Sequence, residues 1–114
     1  MSRSDRSRVI HLAGAEARIP GPAGEHAVAV LRRGTLDVAL SIPRVPIPQK
    51  PHAQDEIYVV VRGRGFLRHD GDRDAVQAGD LVFVAAAVEH QFDQVSDDFA
   101  VWRMFYGPDG GEAP

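Results

Sequence analysis

No apolar run in this chain lasts longer than the eight residues Leu81 to Val88, and nearly every run is cut by glycine, proline or an acidic turn residue. That punctuation leaves little room for long helices. Ala27 to Leu31 and Thr35 to Ile42 are strand-like runs separated by Arg32-Arg33-Gly34, a turn. Residues 43 to 51 carry four prolines, which forbid a helix and disfavour a central strand. Glu56 to Arg62 follows, rich in β-branched residues, then the turn Gly63-Arg64-Gly65 and the run Phe66 to His69. Asp70-Gly71-Asp72 suits a hairpin tip, because Asp-Gly tolerates positive φ. Asp74 to Val76 can return, and Gln77 to Asp80 turns the chain again. Leu81 to Ala85, Glu89 to Gln94 and Phe99 to Tyr106 complete the series. Short strands at this spacing predict an all-β sandwich or barrel. Ala13 to Arg18 is the one place for a short turn of helix.

With 114 residues the chain suits one domain over 1–114, with flexible ends expected at about 1–8 and 107–114. The net charge is −3, and no basic stripe points to nucleic acid or an anionic membrane. Cysteine is absent, so any metal site must use nitrogen and oxygen ligands. The first residues are basic but lack the apolar run of a signal peptide, and the expected location is cytoplasmic.

Two segments hold the chemistry. The first runs from Lys50-Pro51-His52-Ala53-Gln54-Asp55-Glu56 to Gly63, and the second from Gly79-Asp80 to Glu89-His90. Together they resemble the paired motifs of the cupin family over roughly residues 49 to 92. In that register His52 takes the second histidine of motif one, Glu56 the glutamate and Gly63 the glycine. Gly79 and His90 take the first and last positions of motif two. The resemblance implies an antiparallel jelly-roll β-barrel. It also implies one divalent metal (Fe, Zn, Mn, Ni or Cu) held by His52, Glu56 and His90. Three departures stand out: Lys50 occupies the first histidine position, and Ala85 and Ala87 replace the proline and glycine of motif two. A charged lysine has no lone pair for a metal, so Gln49 or water is expected to fill the fourth position, with Lys50 turned outward.

Neutral imidazoles and a carboxylate suit such metals, and two histidines with one carboxylate is the non-heme Fe(II) arrangement. Fully extended, residues 52 and 56 would lie about 13 Å apart, too far for both to reach one ion. The chain must therefore bend at Ala53-Gln54-Asp55, where Asp55 reads as a turn residue rather than a second carboxylate ligand. Tyr58 shares the parity of Glu56 along its strand, and Phe92 that of His90. Tyr58 is the candidate catalytic acid or base. His11, His26 and His69 read as surface residues, and Trp102 as core or cavity wall. Gly63-Arg64-Gly65 is not followed by a helix, which removes a dinucleotide site. The expected function is a metal-dependent enzyme for a small molecule, of dioxygenase or isomerase type. The alternatives are a non-catalytic ligand- or metal-binding module and a metal-free epimerase-like protein. Exposed edge strands favour a homodimer.

Overall fold

The structure, a computed structural model, describes residues 6–43 and 51–114. Among the described residues the short helix α1 (Leu12–Glu16) precedes eight strands. These are β1 (Ala27–Arg33), β2 (Leu36–Ser41), β3 (Asp55–Arg62), β4 (Arg64–His69), β5 (Asp72–Gln77), β6 (Leu81–Val84), β7 (His90–Asp93) and β8 (Ala100–Tyr106). All pair antiparallel, in a five-stranded sheet of order β1-β2-β8-β3-β6 and a three-stranded sheet of order β5-β4-β7. This is the expected all-β jelly roll. Arg32 and Arg33, read as part of a turn, instead finish β1, and the reversal falls at Gly34-Thr35.

Strand parity sorts the side chains. Tyr58, Val60, Leu67, Val84, Phe92 and Val101 meet between the sheets as one buried cluster. The opposite face of the larger sheet has its own small core. There α1 sets Ala15, with Leu12 and Ile19 beside it, over Leu40, Ala100 and Trp102. An ion pair between Arg62 and Glu16 ties the helix to β3. Trp102 therefore belongs to this outer cluster and not to the cavity wall. No helix among the described residues is long and apolar enough to cross a membrane.

Gly63 shows why its position admits no side chain. Its φ is +80°, and a Cβ would stand 2.8 Å from the Cα of Phe99 and 2.5 Å from Ser96 Oγ. The β3–β4 corner can turn only because the backbone passes this close.

Candidate metal centre

The chain bends at Ala53-Gln54 before β3 begins, and the bend is held from three sides. Ala87 N–H donates to the His52 carbonyl at 2.7 Å, and Gly110 N–H donates to the Ala53 carbonyl at 2.7 Å. The Gln54 amide donates to the Gly107 carbonyl at 2.9 Å. Asp55 is not an exposed turn residue but the first residue of β3. It is buried, and its two oxygens accept from Ala86 N–H and Glu112 N–H, each at 2.9 Å. Residues 107–112, read from composition as part of a loose end, thus supply several of the bonds that fix the approach to β3.

Beyond the bend, alternation turns Glu56 and Tyr58 toward the second sheet. Both are 1% exposed. From that sheet His90, at the start of β7, faces them. His90 Nε2 lies 2.8 Å from Glu56 Oε1 and 3.0 Å from the Tyr58 hydroxyl. Its other nitrogen, Nδ1, is 3.0 Å from the Val88 carbonyl. A carbonyl can only accept, so Nδ1 carries a hydrogen and a neutral His90 presents its Nε2 lone pair inward. That lone pair then faces a carboxylate oxygen, and neither oxygen of Glu56 receives a well-directed hydrogen bond among the described residues. A buried carboxylate in this state requires a proton or a cation beside it.

Without an ion, the electrostatics favour a proton in this position. Burial works against a charged His90, but the contacts with Glu56 and the Val88 carbonyl outweigh it and raise its pKa. Burial lowers the pKa of His52, against a smaller upward pull from Glu56. Burial, reinforced by the charge of Glu56, pushes the Tyr58 phenol far above its ordinary value, so it keeps its proton. The protonated phenol is the form that donates a hydrogen bond.

His52 is half-buried, its ring 4.3 Å from Phe105 and 6.2 Å from the His90 ring, centroid to centroid. The structure thus brings Glu56 and His90 into contact and leaves His52 at the edge of the pair. Among the described residues no group of three or more His, Asp or Glu side chains is gathered tightly enough to hold a metal ion. Gln49 and Lys50 lie outside the described residues. His69, read as a surface residue, is the cross-strand partner of His90 and shares its face. Its Nε2 is 2.7 Å from Asp74 Oδ2. An open cleft of about 770 Å³ runs past both, with His69, Asp70, Arg73, Glu89 and His90 on its walls. The parity of His69 with Leu67 was the available signal, but nothing in the sequence sets β4 against β7.

The cupin-domain family model matches residues 42–106 of this chain. The chain is a cupin. An uncharacterised protein of Streptomyces coelicolor is 43% identical to this cupin over 61 residues, 54% of the chain and 58% of that protein. The chain therefore spans less than two-thirds of that relative's length. A Cupin 2 conserved barrel domain protein from Salinispora arenicola superposes with a TM-score of 0.67 at 18% identity, covering 89% of each chain. HppE, an iron(II) protein in complex with substrate, superposes with a TM-score of 0.60 at 15% identity, covering 70% of this cupin and 52% of HppE. At these identities the two structures establish the shared fold.

Proposed function

We propose that this cupin binds one divalent transition-metal ion between the sheets, with His90 and Glu56 as primary ligands and His52 as the third. The observation that carries this reading is the approach of His90 Nε2 to the buried Glu56 carboxylate at 2.8 Å. Two donors bound side by side to one ion at about 2.1 Å are roughly 3 Å apart, close to this separation. The Val88 carbonyl plays the part of the outer partner that orients a ligating histidine. His52 completes the set by rotating its half-buried ring away from Phe105.

A divalent ion there supplies a Lewis acid for a substrate oxygen or a site for dioxygen. The protein's own contribution is a dry wall with one proton donor. Tyr58, held protonated and 3.0 Å from His90 Nε2, is placed to donate to a substrate oxygen once that nitrogen is engaged. The cleft beside His69 and His90 gives a small molecule its approach. The activity is that of a metal-dependent enzyme for a small molecule, of oxygenase or isomerase type. Elemental analysis of protein purified without chelator tests the reading. One metal per chain, lost in His90→Ala, is expected. A metal-free protein in which His90 titrates as a simple base would support the epimerase-like alternative instead.

We infer that the edge of the larger sheet is covered by a second copy of the chain. Leu81 and Phe83 on the edge strand β6 are 67% and 54% exposed. They stand in register with Val59 and Ile57 on the outer face. A two-fold pairing of β6 with itself would cover both the open edge and these side chains.

A further inference from the structure

We propose that Arg103 is the anchor for a small carboxylate ligand, bound on the inner face of the five-stranded sheet beside the metal centre. Cross-strand registers set the neighbourhood. Arg103 pairs with Tyr58 on one side and Ala39 on the other, while Phe105 pairs with Glu56 and Asp37. Directly paired residues share a face, so Asp37, Ala39, Glu56, Tyr58, Arg103 and Phe105 all look inward.

The polar atoms on this face are short of partners. Five buried side-chain atoms lack a hydrogen bond among the described residues, and four of them lie here: Asp37 Oδ1, both oxygens of Glu56, and Arg103 Nε. Such groups in a native interior call for an occupant, because an unpaired buried polar group is costly. Asp37 does not satisfy the guanidinium. Its Oδ1 is 3.8 Å from Arg103 Nη2, beyond hydrogen-bond distance, and its other oxygen is drawn to Arg32 at 3.5 Å. Glu56 does not claim it either if the metal reading holds, since the ion then meets that charge; the inference rests on that reading to this extent. Arg103 is left with an Nε edge that has no hydrogen bond among the described residues, and with only a long ion pair to Asp37.

The shape selects a carboxylate. A guanidinium offers parallel N–H groups that match the two oxygens of a planar carboxylate. Arg103 is steadied over the Phe105 ring, its Cζ 4.6 Å from the centroid. The charge of Arg103 is felt at both His52 and Tyr58. Diagonal neighbours across a sheet are about 7–8 Å apart, the relation of Arg103 to Glu56, so a molecule of a few carbons spans the two. Arg103 thus positions the acid group while the remainder of the ligand reaches the metal ligands and Tyr58.

The experiment titrates sodium acetate and sodium propionate into the purified protein at constant ionic strength, following backbone amide shifts by NMR. Sodium sulfate is the tetrahedral comparison, and each titration is run with and without added zinc. Saturable shifts at residues 37–39 and 103–105 are expected with both carboxylates, with weaker effects from sulfate. Arg103→Gln should weaken carboxylate binding by about tenfold or more while leaving the zinc content unchanged. Arg103→Lys, which keeps a charge opposite Asp37 and guards against misfolding, should fold normally yet fail to restore the affinity. Unchanged acetate binding in either variant, or sulfate binding as tightly as acetate, overturns the assignment. The two readings fail separately. A protein that takes no zinc but binds acetate through Arg103 removes the metal alone. Zinc binding without Arg103-dependent acetate binding removes this site alone.

Discussion

Asp55→Asn tests whether the proposed metal centre is braced from outside. Asp55 is 5% exposed and joins three pieces of chain. It opens β3, one oxygen receives Ala86 N–H from the turn before His90, and the other receives Glu112 N–H from the C-terminal segment. An asparagine has one acceptor oxygen, so one of the two bonds is lost. The oxygen should stay on Ala86, the less exposed partner, and leave Glu112 to water. Hydrogen bonds to charged groups contribute about 1.5–3 kcal/mol, and solvent relieves part of the loss at the exposed end. We expect Asp55→Asn to destabilise by about 1–2 kcal/mol and Asp55→Ala, which strands both N–H groups, by about 3 kcal/mol. For a domain of this size the former lowers Tm by roughly 4–8 °C. Urea unfolding with an unchanged m-value provides the measurement. Deleting residues 108–114 should remove the same bond as Asp55→Asn, so the two changes combined should cost less than their sum. Strict additivity, or Asp55→Ala within about 0.5 kcal/mol of the parent, would refute the brace.

Three further outcomes follow from the same geometry. Ala87 has φ +67°, a left-handed conformation in which alanine is strained by about 1–2 kcal/mol, so Ala87→Gly should stabilise by about 0.5–1 kcal/mol. Ala39→Gly, in a regular strand, should show the opposite sign in the same unfolding assay. Glu56→Gln should abolish metal uptake by elemental analysis and lower the urea midpoint of chelator-treated protein, because His90 loses its buried carboxylate partner. Leu81→Lys combined with Phe83→Lys should convert a dimer to a monomer by light scattering, with the circular dichroism of the fold retained.

Much of this fold was legible because strands announce themselves by punctuation. All eight were located within a few residues, since Gly63, Asp70-Gly71 and Gly79 mark reversals that few other residues tolerate. The partners across space were not legible. His69 became a neighbour of His90, and Arg103 of Tyr58, only through the register of β4 with β7 and of β8 with β3. Register depends on which faces are buried, and that is a property of the assembled sheets. Asp55 shows the same limit in another form. Its type and position fitted a turn, and its buried role as a brace depends on a segment more than fifty residues away.

Ala87 stands where the second motif has glycine, and the backbone keeps the glycine conformation regardless. What holds it there is the bond from Ala87 N–H to the His52 carbonyl, with the Asp55 bond to Ala86 one residue earlier. Strained residues persist where the surroundings over-determine them. The turn that delivers His90 is therefore set by the loop that carries His52 and by the first residue of the strand that carries Glu56. His52, Glu56 and His90 are thus coupled through backbone. A change that frees this turn should loosen His52 and His90 together, which makes Ala87→Gly a test of function as well as stability. The added freedom of glycine lets the Val88 carbonyl drift from His90 Nδ1. A more stable protein with weaker metal binding is the expected combination, and it separates the strain held in this turn from the chemistry it supports.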